Sequence, residues 1–356
     1  VVLLGAGASM DAGLPSAVEL QKRLVLRLQQ DNEIDLKRAL GLIVGGIAFQ
    51  RGVEGFLESS SVDIETVLRV AQLLENRSTH PLAGYVAVWN SSLDKVSPGG
   101  DGSVFHRLNQ FARDALNEWL RTPDDPIMVK YLAQIFQLRR PWARRSDNVC
   151  MPQIFTLNYD LCLEKALHYE SLPFTTGFSN GLWTPKEFDR NDIVRVYKLH
   201  GSFGWVRDPR TLLLYDRDAA LGRTDVEFFS GETSDELIFG VDNKLQAMQP
   251  FLWLAHQFYE AVSAATYIVA IGYRFADDYV NQIIGQAMAS DASKRLLVVS
   301  PRFDTAVLEH ARGMNYYPER TIPIQCTAKI ALQDQDMIRS KLQELEEIRP
   351  AETPFS

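Results

Sequence analysis

Short apolar runs alternate along this chain with longer stretches whose apolar positions recur at helical spacing. Val1-Val2-Leu3-Leu4 has no polar position and runs into glycines. A strand buried on both faces has this signature. Residues 16–30 then place Leu20, Leu24 and Leu28 on one helical face with polar residues opposite, and Pro15-Ser16 supplies a start signal. Strand, glycine loop and helix in this order form the first half of a βαβ unit.

From about 34 to 148 the pattern is helical. Val67, Val70, Ala71 and Leu74 share one face, as do Leu108, Phe111, Ala112, Ala115 and Leu116. The stretch Ser97-Pro98-Gly99-Gly100-Asp101-Gly102-Ser103 is a loop. No strand pattern occurs here, so this region reads as an all-helical insertion. The alternation then returns. Gln153 to Leu157, Ile193 to Leu199, Tyr267 to Ile271 and Arg295 to Val299 are strand-like, and Thr211 to Tyr215 suits a hairpin strand. Helices are predicted over Leu161 to Tyr169, 250–264, 277–290 and, as an amphipathic C-terminal helix, 334–348. The tail from Pro350 is expected to be disordered.

Strands alternating with helices predict an α/β fold, a Rossmann-like open parallel sheet covered on both faces, carrying a large all-helical insertion. The expected division is a discontinuous nucleotide-binding domain over 1–33 and 149–330, the insertion over 34–148, and a C-terminal helix and tail over 331–356. No internal repeat is visible.

Composition narrows the classes. The chain has 356 residues, 46% of them hydrophobic, enough for a sizeable core. A net charge of -8 argues against a nucleic-acid binder working through a broad basic surface. The local cluster Arg139, Arg140, Arg144 and Arg145 reads as a solvated helix end and loop. Three scattered cysteines, Cys150, Cys162 and Cys326, have no Cys-x-x-Cys spacing, so neither a zinc ribbon nor a dithiol motif is expected. Their pattern suits core residues in a reducing cytoplasm. No apolar run approaches the ~18–20 residues that span a bilayer, so no membrane partner is expected. The chain opens on Val1 rather than Met, so a preceding segment of the natural protein is expected.

The candidate chemistry begins with Gly5-Ala6-Gly7-Ala8-Ser9. A pyrophosphate needs backbone N–H groups aimed at it without side chains in the way, and a helix N-terminus adds a favourable dipole. Gly5 and Gly7 suit the tight turn and close contact, and Ser9 can add a hydroxyl. The plainer alternative is a tight strand-to-helix turn with no ligand. Met10 stands where a dehydrogenase fingerprint has its third glycine, and no acidic residue ends an obvious second strand. A dehydrogenase is therefore disfavoured. Asn158 and Asp160 follow a predicted strand, where ligands bind in open α/β sheets; a turn or helix cap is the plainer role for both. His200 also follows a strand, with Gly201 allowing close approach, and histidine suits general base work on a hydroxyl or a water. His80, His106, His168, His256 and His310 have no metal-ligand spacing and read as structural or surface residues. Gly272 can offer backbone groups to a phosphate or ribose, while Asp277 and Asp278 read at least equally well as helix caps, with Asn281 one turn on.

Taken together, four segments resemble the sirtuin family. Gly5 to Ser16 resembles its nucleotide-binding motif, and more closely that of the sirtuin-like NAD hydrolases of bacterial antiphage defence. Thr156-Leu157-Asn158-Tyr159-Asp160 is similar to the second motif, and Lys198-Leu199-His200-Gly201-Ser202 to the third. Ile271 to Asp278 resembles the later glycine segment. The resemblance implies NAD as substrate, with His200, Asn158 and Asp160 catalytic. It implies cofactor contacts from Gly5, Ala6, Gly7, Ser9, Gly13, Gly201, Gly272 and Ser300; no metal is expected, because neither the cysteines nor the histidines have ligand spacing.

Protein-deacylating sirtuins carry a four-cysteine zinc module, and a Phe-Arg pair after the proline of the first motif. This chain lacks the module and has Ala17-Val18 after Ser16. The expected reaction is therefore NAD+ glycohydrolysis to nicotinamide and ADP-ribose, as an effector of antiphage defence by NAD depletion. An NAD-dependent protein deacylase and a non-catalytic NAD or ADP-ribose sensor remain as alternatives. The same resemblance implies a homo-oligomer and a separately encoded activating partner, a nucleic-acid motor or guided protein, without direct nucleic-acid binding by this chain.

Overall fold

A computed structural model of the chain describes residues 1–53, 62–77, 95–96, 102–138, 153–208, 210–218, 235–237 and 249–347. The arginine cluster at 139–145, Cys150, His80, most of the 97–103 loop and the tail from Pro350 lie outside the described residues. The chain divides into two compact units, Val1–Leu14 with Thr122–Ser356, and Pro15–Arg121.

The first unit is built on a seven-stranded sheet. Its strands are β1 (Val2–Leu4), β2 (Gln153–Thr156), β3 (Phe174–Thr175), β6 (Val194–Lys198), β10 (Tyr267–Ile271), β11 (Arg295–Val299) and β12 (Thr321–Ile324). Their order is β12-β11-β10-β1-β2-β6-β3, and every pairing is parallel. The fold is thus the expected Rossmann-like α/β sheet.

The apolar runs are continuous because alternate residues feed two cores. Val2, Leu4, Ile154, Val196, Val269, Ile271, Leu297 and Val299 pack on one face, under the helices Cys162–Tyr169 and Ala328–Gln333. Leu3, Phe155, Tyr197, Ile268, Ala270, Leu296 and Val298 pack on the other, under Phe251–Ala264 and Asp278–Ser290. Burying a Leu, Ile, Val or Phe side chain of this kind stabilises by about 1.5–3 kcal/mol each.

This unit also holds a second, five-stranded antiparallel sheet, of which only the strand expected near Thr211 to Tyr215 is visible in the sequence pattern. It runs in the order β4 (Phe178–Ser179), β5 (Leu182–Trp183), β8 (Leu214–Asp216), β7 (Gly201–Arg207) and β9 (Asp235–Leu237). β7 starts at Gly201, so His200 stands at the junction of the two sheets.

The second unit is helical: Ala17–Gln30, Ile34–Val53, Ile64–Glu75 and Ser103–Trp119. Ser16 caps the first by accepting from the Glu19 N–H, and Asp63 caps the third by accepting from the Thr66 N–H. Leu20, Leu24 and Leu28 are buried as their spacing predicts, alongside Leu40, Leu68, Phe105 and Leu108. The compact unit starts at Pro15 and ends at Arg121, earlier at both ends than the expected insertion over 34–148. The reason lies in packing: the helix 17–30 buries its leucine face among the helices that follow it. No helix among the described residues is long and apolar enough to cross a membrane.

Candidate active site

The polar residues picked out by sequence follow the carboxyl ends of β1, β2, β6 and β10. β1 leads outward to β2 and β6 on one side, and the chain later returns to β10 on the other. Ligands of open α/β sheets bind at the carboxyl ends beside such a reversal.

Two of these loops are joined by side chains. Asn158 Nδ2 donates to Ser9 Oγ at 3.0 Å, and Ser9 Oγ donates to Asp160 Oδ1 at 3.2 Å. All three residues are buried. Asp160 Oδ1 also accepts from the Cys162 N–H at 2.9 Å, so the helix-start role read from sequence is present as well. The backbone N–H of Asn158 is held by Thr156 Oγ1 at 3.0 Å. Asn158 Oδ1 is buried with no partner among the described residues. Such an atom costs about 1–3 kcal/mol in the absence of a donor.

Lys198 braces this loop from below. Its Nζ donates to the Asp160 carbonyl at 2.6 Å and pairs with Glu164 Oε1 at 2.7 Å, with the two side chains 1% and 13% exposed. A lysine at the end of a buried strand thus fixes the backbone that carries Asp160. Sequence reading assigned Lys198 no role; a charged residue closing an otherwise apolar strand was the available signal.

His200 is buried and its Nε2 lies 2.8 Å from Asp277 Oδ2. The other oxygen, Asp277 Oδ1, accepts from the N–H groups of Tyr279 and Val280 at 3.0 and 3.1 Å, capping the helix Asp278–Ser290. Asp277 is therefore the cap that sequence suggested and a histidine partner that it did not. The Tyr159 ring stands 5.9 Å from the imidazole, centroid to centroid. The loop before Asp277 is held by Tyr273, whose hydroxyl donates to Asn281 Oδ1 at 2.7 Å, and by Asn281 Nδ2, which donates to the Phe275 carbonyl at 2.8 Å.

The glycines pack against each other. A Cβ on Gly5 would lie 2.6 Å from the Gly272 carbonyl oxygen, and one on Gly7 2.8 Å from Gly272 Cα. At Gly272, with φ +64, a Cβ would overlap Ala8 N and Gly7 C. The Gly5 and Gly7 N–H groups donate to the carbonyls of Ile271 and Gly272 at 3.0 and 2.9 Å. In this structure the close approach that these glycines permit is between the two loops. Ala6 is exposed at the tip.

Residues 152–317 match the family model described as a SIR2-like domain. The match covers a little under half of the chain. Its span holds Asn158, Asp160, His200, Gly272 and Asp277, while the Gly5–Ser9 loop lies outside the matched residues. Solved structures similar to the chain include a Sir2 in complex with an inhibitor, 2′-O-acetyl-ADP-ribose and a deacetylated peptide. It is 10% identical, with 96% of this chain and 93% of that chain covered and a TM-score of 0.44. Another is a mutant Sir2 homologue in complex with ADP-ribose, 12% identical, with 97% and 93% covered and a TM-score of 0.43. No curated protein matches the chain.

The remaining expected site residues are placed by other bonds. Gly13 has φ +90 and its N–H donates to the Met10 carbonyl at 2.9 Å, ending the short helix Gly7–Met10. Gly201, at φ +86, turns the chain from His200 into β7. Ser300 follows β11 on the same edge of the sheet; its N–H donates to Ile324 O at 3.1 Å and its Oγ to Arg302 O at 3.1 Å. His106 pairs with Glu75 at 2.7 Å in the helical unit, and His256 stands 3.8 Å from Glu260. Among the described residues no group of three or more His, Cys, Asp or Glu could hold a metal ion. Burial, and then the neighbouring Asp160, push the Cys162 thiol well above the usual range.

Proposed function

We propose that this chain is an NAD+ glycohydrolase, with NAD as substrate and nicotinamide and ADP-ribose as products. The observation that carries the reading is the buried Ser9–Asn158–Asp160 group, in which Asn158 Oδ1 awaits a donor. It stands at the carboxyl end of the sheet that also bears His200. The nicotinamide riboside offers such donors in its ribose hydroxyls and carboxamide.

In the proposed reaction the bond between the ribose anomeric carbon and the nicotinamide nitrogen breaks, and its electron pair leaves with nicotinamide. Positive charge develops on the ribose, where the Asp160 carboxylate offsets it. Water then bonds to the anomeric carbon and passes its proton to His200. Asn158 orients the ribose or the water, and the pyrophosphate lies at the Gly5–Ser9 loop on the side of the exposed Ala6, since the Gly5 and Gly7 N–H groups are engaged by the Ile271 and Gly272 carbonyls. Positioning and electrostatics supply most of the acceleration.

Hydrolysis is preferred to lysine deacylation on two features. The sequence lacks the four-cysteine module and the Phe-Arg pair of deacylases, and Cys162 is buried beneath the site instead of being available to a metal. From the family resemblance we place the reaction in antiphage defence by NAD depletion, in the cytoplasm. An unrestrained NAD hydrolase would poison its own cell. We therefore infer a homo-oligomer gated by a separately encoded partner, a nucleic-acid motor or guided protein.

The test is to incubate NAD with purified protein and follow nicotinamide by chromatography. Release is expected, and its loss in His200→Ala. No release in any oligomeric state or with any activating partner would sink the reaction, and full activity in His200→Ala would sink the residue assignment. NAD-dependent loss of an acyl group from a lysine peptide would make the chain a deacylase instead.

A further inference from the structure

His200 and Asp277 come from loops whose strands are not neighbours. β6 and β10 are separated in the sheet by β2 and β1, so their carboxyl ends stand about 14 Å apart at ~4.8 Å per strand. The two side chains nonetheless close to 2.8 Å, with 4% and 8% of each exposed. Asp277 is also clamped. Its Oδ1 is engaged by two N–H groups of the helix it caps, which leaves Oδ2 aimed at the imidazole. A carboxylate only accepts, so the neutral ring carries its hydrogen on Nε2 and its lone pair on Nδ1.

We propose that Asp277 is a positioning residue for His200: it fixes the Nε2–H tautomer and makes Nδ1 the nitrogen that takes the proton during the reaction. The proposal rests on the reading of His200 as the base of an NAD-cleaving site. In the step itself an O–H bond of the attacking water breaks and its proton moves to Nδ1. The Nε2–H stays in place, and the ionised Asp277 faces the imidazolium that forms. Asp277 acts through His200 and does not touch the reacting atoms.

Two substitutions separate this role from helix capping. Serine and asparagine both cap well, so Asp277→Ser keeps the cap and removes the reach to His200, whereas Asp277→Asn keeps the reach and removes the charge. The full chain is labelled with 15N-histidine, and the His200 signals are identified by their loss in His200→Gln. Read above the ring's titration, the wild type is expected to show Nε2 as the N–H nitrogen and Nδ1 as the bare one. In Asp277→Ser that single-tautomer signature is expected to give way to a mixture. A wild type protonated on Nδ1, or an unchanged tautomer in Asp277→Ser, overturns the proposal.

If Asp277→Ser fails to fold, the wild-type spectrum and Asp277→Asn still decide. In Asp277→Asn, kcat for nicotinamide release is expected to fall about a hundredfold at unchanged KM and melting temperature; unchanged kcat overturns the proposal. A wild type with the expected tautomer that never cleaves NAD would keep the His200–Asp277 assignment and remove the reaction, so the two failures are distinguishable.

Discussion

The Asn158 amide donates to the Ser9 hydroxyl at 3.0 Å, tying together residues 149 positions apart and leaving Asn158 Oδ1 buried without a partner among the described residues. This pairing makes Asn158 costly to keep. Its hydrogen bond contributes about 1 kcal/mol, whereas the orphaned carbonyl costs about 1–3 kcal/mol. Asn158→Ala removes both. The expected outcome is a urea midpoint unchanged or slightly raised, with nicotinamide release reduced about 10²–10³-fold. A loss of stability above about 3 kcal/mol would instead mark Asn158 as a structural residue.

Lys198 and Glu164 form the opposite case, a buried pair whose removal is expected to cost stability first. Lys198→Met leaves Glu164 without its counter-charge and the Asp160 carbonyl without its donor. Breaking such a pair from one side costs about 3–5 kcal/mol. Lys198→Met with Glu164→Leu removes both charges and is expected to recover most of that loss in urea denaturation. Activity is expected to stay low in the double variant, because the backbone that carries Asp160 has lost its brace. A double variant no more stable than the single would place the stabilisation elsewhere.

Much of the sheet was legible because its strands are buried on both faces. Tyr267–Ile271 and Arg295–Val299 stand where their apolar runs put them. β12 was not read because Pro323 interrupts it, and an edge strand tolerates proline where a central one does not. Of the antiparallel sheet only β8 falls in an expected strand, Thr211 to Tyr215; the rest escaped because β4 and β5 have two residues each, and because Gly201 and Gly204 dilute β7. The site divides the same way. Asn158, Asp160 and His200 are visible as polar residues just past apolar strands. The His200–Asp277 pair was hidden, since 77 residues separate its members and Asp277 already has a local role as a cap.

Gly272 is the position where backbone space is least negotiable. A methyl group there would overlap Ala8 N and Gly7 C, at a φ of +64 that side chains rarely adopt. Backbone cannot rotate aside as a side chain can, so Gly272→Ala must separate the Gly5–Ser9 loop from the loop after β10. Overpacking costs about 1–3 kcal/mol and the left-handed backbone about 1–2 kcal/mol more. The expected outcome is a lower melting temperature together with loss of NAD binding in calorimetry. Gly45→Ala, in the helix Ile34–Val53 with no atom within 4 Å of the added methyl, is the control and should raise helix stability slightly. Equal effects at the two positions would remove the argument from the interlocked loops.

Cys162 tests how closed the floor beneath the site is. It is fully buried, and burial first, then the Asp160 charge, raise its thiol well above an ordinary value of 9.0. A protonated, inaccessible thiol is a poor nucleophile. In the folded protein the Cys162 peptide is expected to stay unmodified by iodoacetamide at neutral pH, and to be alkylated once urea unfolds the chain, as read by mass spectrometry. The sign of the pH dependence follows from the same shift. The unfolded thiol loses its proton near 9.0 while the folded one keeps it, so above that pH the unfolded state binds fewer protons and stability falls as pH rises. Tyr131, which burial also pushes up from 10.0, adds to the decline at higher pH. The urea midpoint is therefore expected to drop between about pH 9 and 11, and Cys162→Ala to remove the earlier part of that drop. Rapid alkylation of Cys162 in the folded protein would show that solvent reaches the underside of the Ser9–Asp160 pair, and with it that Asp160 is not held in the buried setting from which its role is argued.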